Sequence, residues 1–124
     1  MQQVFAFFLV FLGGGLGSVS RFGIVLALRS TQGSKFPVAT LLANGIACFV
    51  LGVVMALHLS GQMTDHRRLL LGTGFCGGLS TFSTFIAENW GLYESGQTGL
   101  VLTNTIASLA LCMLCLILGY KLTL

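Results

Sequence analysis

Charge is what this sequence has least of. Asp65, Glu88 and Glu94 are its three acids, six Lys and Arg oppose them, and charged residues make up 7% of the 124 positions. A water-facing surface ordinarily carries about a quarter or more. The net charge of +3 is too small and too scattered to grip nucleic acid. Nor is there a nucleophile, base and orienting acid that would make an enzyme. His58 and His66 lie near a connector without ligand spacing to anything else, and Cys112 and Cys115 form a C-x-x-C with no flanking His or further Cys. On an apolar helix that pair reads as small packing residues, not as a zinc or redox site. No connector is long enough to fold separately, which excludes a second domain.

What is present is apolar. Hydrophobic residues reach 55% and the mean hydropathy is +0.94. A soluble domain of this size has too little interior to hide so much, so lipid must be the solvent for most of the chain. Seventeen glycines against one proline fall largely within the apolar runs, where membrane helices use small residues to bring backbones together.

Four apolar segments, 4–28, 38–59, 69–93 and 100–120, each have about the 20 residues that a spanning helix needs. The expectation is one all-α membrane domain over 1–124, multi-pass, joined by the connectors RSTQGSKFP, SGQMTDHR and ESGQTG. The first run has no basic stretch before it and is too long for a signal-peptide core, so it is expected to be a retained helix. With an even number of spans, Arg67, Arg68 and Lys121 fall on one side and Arg21, Arg29 and Lys35 on the other. That balance gives insertion no preferred direction, which allows both orientations and an antiparallel homodimer.

Polar residues at bilayer depth are costly and call for a reason. Thr40, Asn44, Cys48 and Gly52 recur every fourth position in the second segment, and Asn104, Ser108 and Cys112 do so in the fourth, with Thr105 beside them. Each stripe is either interhelical packing glue or one wall of a polar pathway. Gly13, Gly14, Gly15 and Gly17, then Ser18, suit close helix packing; no strand precedes them, so a nucleotide loop is excluded. Arg21 either snorkels to the interface or anchors an anion vestibule.

The most unusual stretch is GFCGGLSTFSTF, residues 74–85. Gly77 and Gly78 weaken the helix, and Ser80, Thr81, Ser83 and Thr84 offer hydroxyls to backbone groups that an interruption frees. A broken third helix is the expectation, and its free carbonyls suit a hard cation. Phe82 and Phe85, at i and i+3, share one helix face, either as core packing or as part of a pore.

GFCGGLSTFSTF, with the early GGGLGSVSR and the TLLAN of the second segment, resembles the Fluc (CrcB) fluoride channels across nearly the whole chain. The resemblance implies four helices per chain with a broken third, an antiparallel dual-topology homodimer, two fluoride pathways and a central structural Na⁺. It makes Phe82 and Phe85 pore phenylalanines, Asn44 the pore amide, Arg21 the vestibule arginine and Ser108 part of a hydroxyl track, with Ser83 and Thr84 also on the fluoride pathway. The Na⁺ is expected on the main-chain carbonyls of Gly77 and Ser80. Two positions depart from the pattern: Ser80 stands where Thr is frequent, and Cys112 where the track often continues with a hydroxyl. The implied role is passive fluoride efflux across the bacterial inner membrane. A four-helix proton-coupled exporter similar to the small multidrug resistance proteins is the rival, but it calls for an acid in the first helix, and this one has none. A small assembly subunit that transports nothing is the third reading.

Overall fold

The computed structural model describes residues 1–29 and 35–124; part of the first connector, 30–34, lies outside the described residues. Among the described residues, four helical spans are long and apolar enough to cross a membrane: Gln2–Ala27, Val38–Leu59, Asp65–Glu94 and Thr98–Thr123. Helix is the geometry lipid demands, because each backbone N–H and C=O is satisfied within its own segment. The first span is α1 (Gln2–Ala27), the second α2 (Val38–Leu59) and the fourth α6 (Thr98–Thr123).

The third span is composite. It opens as α3 (Asp65–Arg68), four residues earlier than apolar character alone places it, because the Thr64 side chain accepts the Arg67 N–H and caps the helix. It widens into a π-helical segment, Leu69–Cys76, then tightens into the single turn α4 (Gly77–Leu79). Ser80 and Thr81 are extended, with ψ of 155° and 123°, and α5 (Phe82–Glu94) restarts beyond them. Gly77 and Gly78 are themselves helical, so the interruption falls just after the glycines, not on them.

Glycine has a different task here, which is proximity. A Cβ on Gly13 would meet the Leu70 carbonyl, one on Gly17 the Phe75 carbonyl, and one on Gly78 the Gly14 carbonyl. α1 thus lies against the third span backbone to backbone. α2 and α6 do the same where Gly52 faces the Leu116 carbonyl and Gly119 faces that of Phe49. Two matching turns end α2 and α5: Gly61 and Gly96 take φ of +74° and +77°, and the following Gln62 and Gln97 return N–H bonds to Leu57 O and Leu92 O.

The buried core is small. Ala43 and Ala47 of α2 close on Leu79, with Ile24 and Phe75 at its edge. Large apolar side chains such as Phe7, Phe11, Leu109 and Leu122 point outward, the reverse of a water-soluble bundle.

Candidate functional site

Asn44 of α2 faces the interruption of the third span and replaces the missing helical bonds. Its Oδ1 accepts the Thr81 N–H at 2.7 Å, and its Nδ2 donates to Thr81 O at 3.1 Å. Both main-chain groups of one extended residue are therefore held by one side chain. Thr81 then caps α5, its Oγ1 accepting the Thr84 N–H at 3.2 Å while its hydroxyl donates to Thr84 Oγ1 at 3.1 Å.

These bonds redirect N–H groups that a continuous α-helix would give to carbonyls four residues back. Thr81 N–H would otherwise go to Gly77 O and Thr84 N–H to Ser80 O; they go to Asn44 and to Thr81 Oγ1 instead. Gly78 O, whose helical donor would be the first N–H of α5, accepts from Arg21 Nε at 3.2 Å, with Ser18 Oγ at 3.5 Å. Ser80 folds its hydroxyl back onto Cys76 O at 2.8 Å.

Below the interruption lies a pocket of about 230 Å³ that gathers Asn44, Phe82, Phe85 and Ser108, with Ser80 and Cys112 also in its wall. The two rings contact at a centroid distance of 5.8 Å and a tilt of 35°. They differ sharply in exposure, Phe85 at 8% and Phe82 at 75%. Ser108 is buried and its hydroxyl donates to Asn104 Oδ1 at 3.2 Å.

Three pathway candidates stand apart from that pocket. Arg21 lies on α1 at the Gly78 carbonyl, Ser83 is exposed with its Oγ 3.4 Å from Thr81 Oγ1, and Thr84 is occupied by the Thr81 hydroxyl. Gly77 and Ser80 line another, larger groove of about 490 Å³ beside α2, with His58 and Arg68 also in its wall. Asp65 Oδ1 sits 3.9 Å from His58 Nε2 and 3.8 Å from Arg68 Nε there.

Two polar features escaped the stripe reading. Asn89 of α5 bonds both Asn104 and Thr105 of α6, at 2.8 and 3.2 Å. Thr40 donates to Glu88 Oε1 at 2.6 Å, while the buried Glu88 Oε2 has no hydrogen-bond partner among the described residues. The signal for both was the cost of an acid and an amide in adjacent positions of a spanning helix.

A family profile described as "CrcB-like protein, Camphor Resistance (CrcB)" matches residues 8–120. A protein of Pyrococcus abyssi named "Fluoride-specific ion channel FluC" is 41% identical over 113 residues, covering 90% of each chain. Proteins of the same name from Thermus thermophilus and Chlorobium phaeobacteroides are 37% and 47% identical. They cover 94% and 78% of this chain, and 91% and 75% of their own. These are relatives named for a channel, not for an enzyme. A profile match over most of the spans, and identities of this size over nearly whole chains, place this four-span membrane protein in the CrcB-like family.

Proposed function

We propose that the chain is a passive fluoride channel of the cell membrane, an inner-membrane protein in a bacterium, which lets F⁻ leave the cytoplasm down its electrochemical gradient. The observation that carries this reading is the pocket joining Asn44, Phe82, Phe85 and Ser108 beside the interrupted third span. The names of the relatives support the ion.

Fluoride is small and strongly hydrated, and even a larger, carboxylate-sized ion costs on the order of 20 kcal/mol to move unaided into a low-dielectric interior. Donors must replace its water. The Asn44 amide carries two N–H groups and spends one on Thr81 O, leaving the second for an anion. The ring edges of Phe82 and Phe85 present the positive side of the aromatic quadrupole, and Ser108, Ser83 and Thr84 offer hydroxyls. A ring edge attracts an anion weakly, where a fixed Lys or Arg would hold it too tightly for conduction. Arg21, tied to Gly78 O, adds positive potential at the vestibule without standing in the pocket.

The working unit in this reading is an antiparallel, dual-topology homodimer, supported by the even division of Lys and Arg between the two sides. A structural Na⁺ would lie at its centre. The fit is good: Gly77 O and Ser80 O are the carbonyls whose helical donors are turned elsewhere, and two chains would offer four hard oxygen ligands. The ion would supply positive charge at the meeting of two helix breaks, and Asn44 and Thr81 keep the carbonyls free to face it.

Liposomes loaded with fluoride, chloride or ethidium decide among the readings. Efflux of F⁻ with retention of Cl⁻ is the expected result. Proton-driven ethidium movement would show an exporter instead, and no movement of any of the three would leave only a non-transporting subunit.

A further inference from the structure

α5 and α6 are joined at bilayer depth by a file of hydrogen bonds whose direction is determined from one end. Val101 O can only accept, and it takes the single hydroxyl hydrogen of Thr105 at 2.8 Å. Thr105 Oγ1 is then left to accept, which it does from Asn89 Nδ2 at 3.2 Å. That turns Asn89 Oδ1 toward Asn104, whose Nδ2 donates to it at 2.8 Å. Asn104 Oδ1 consequently faces Ser108 and accepts its hydroxyl at 3.2 Å. The far end of the file is the pocket, where Ser108 stands with Phe82 and Phe85. Ser108 therefore spends its one hydrogen away from the pocket and turns lone pairs toward it. At 1% exposure Asn104 is out of reach of bulk solvent, and both its Oδ1 and its Nδ2 are engaged.

We propose that Asn104, oriented by Asn89, is a positioning residue that competes with the passing fluoride for the Ser108 hydroxyl hydrogen; the inference rests on the channel reading above. An anion arriving at Ser108 is stabilised only after the O–H turns from Asn104 Oδ1 to F⁻, so one hydrogen bond is broken as one is made and no proton is transferred. When the ion leaves, the O–H returns to Asn104. The station is weakened by that exchange and releases its ion readily, which conduction requires. Without a competing acceptor, Ser108 would hold fluoride longer and pass less of it.

Current through single assembled channels, measured against fluoride concentration, tests the competition. Asn104→Leu should lower the half-saturating fluoride concentration several-fold and reduce the maximal current. Asn104→Asp, which keeps an oxygen facing Ser108, should return both toward the original values. In a Ser108→Ala background the Asn104→Leu shift should vanish. Should Asn104→Leu not assemble, Asn89→Leu, which removes the acceptor that orients Asn104, carries the same expectation. An unchanged half-saturating concentration with fewer working channels would mean a packing role only and overturn the proposal, as would a shift that persists without Ser108. A wild-type chain that passes no fluoride overturns the channel reading and this inference together, whereas fluoride current without the shift overturns this inference alone.

Discussion

The third span is built in two ways on either side of Ser80 and Thr81. Ahead of them, the π-helical segment and α4 meet α1 through main chain, at Gly13 against Leu70 O, Gly17 against Phe75 O and Gly78 against Gly14 O. Beyond them, α5 meets α6 through amides and hydroxyls, at Asn89, Asn104 and Thr105. Lipid offers no hydrophobic drive for one helix to join another, so helices associate by close contact or by polar bonds. The half before the interruption leans on the first means, with Arg21 and Ser18 adding polar bonds at Gly78 O, and the half beyond it leans on the second. The first half should fail when atoms are added and the second when atoms are removed.

The largest effect should come from adding one carbon to the first half. In Gly78→Ala the new Cβ points at the main chain of Gly14, which cannot swing aside as a side-chain tip would. Overpacking of this kind ordinarily costs about 1–3 kcal/mol, and a backbone obstacle puts it at or above the upper end. Thermal unfolding in detergent should show a strongly destabilised protein. A melting temperature equal to wild type would mean that α1 and the third span are not held as closely as the glycines imply.

Removing atoms at the junction comes next. Asn44→Leu keeps the bulk but strands both Thr81 N–H and Thr81 O, and leaving a partly buried polar group unmade costs about 1–3 kcal/mol. The expected loss is about 2 kcal/mol, because water reaching the interruption recovers part of it. Asn44→Asp, which retains an acceptor for Thr81 N–H, should lose less. Equal stability of all three proteins would separate Asn44 from the extended backbone it holds.

The same contrast explains which features the sequence displays. Apolar length and turn chemistry placed the second span at 38–59, where α2 lies, because Pro37 and Ser60-Gly61 mark its ends locally. The start of the third span was less legible, since Asp65–Arg68 is polar and owes its helix to the Thr64 cap. Helix propensity pointed to Gly77-Gly78 as the weak point, yet both are helical and Ser80-Thr81 is extended. The reason is tertiary: Gly78 is needed where α1 presses against it through Gly14, and Asn44 rewards extension at Thr81 just beyond. The π-helical widening at Leu69–Cys76 leaves no mark in periodicity. Asn44, Phe82, Phe85 and Ser108 were marked by residue type and spacing, and they share one pocket. Asn89 was not marked, because its partner depends on the register that the Gly96 turn gives α5 against α6.

A smaller effect, and one that sharpens the comparison within the pocket, separates the two phenylalanines. Phe85 is buried in the single chain and Phe82 is not, so Phe85→Ile should lower stability by about 1–2 kcal/mol and Phe82→Ile by no more than about 0.5 kcal/mol. Under the proposed function both should stop fluoride, because each removes a ring edge from the same pocket. Flux that tracks stability instead, lost in Phe85→Ile and kept in Phe82→Ile, would reduce the pair to core packing.

The smallest effect is expected one residue from the largest. Among the described residues a Cβ on Gly77 meets nothing within 4 Å, whereas one on Gly78 strikes Gly14. Alanine also suits a helix better than glycine by about 1 kcal/mol, so Gly77→Ala should leave the folded chain unchanged or slightly firmer. The two substitutions add the same methyl to the same helical turn, and only the direction in which it points differs. Unfolding of the two variants side by side, in detergent with Na⁺ held constant, measures that difference free of composition. A small change at Gly77 with a large one at Gly78 would confirm that this turn tolerates a methyl on the side Gly77 presents and not on the face toward α1. A large loss at Gly77 would show instead that something outside the single chain presses on its open side. That loss should then grow as protein concentration falls, because a second copy of the chain would be supplying the contact.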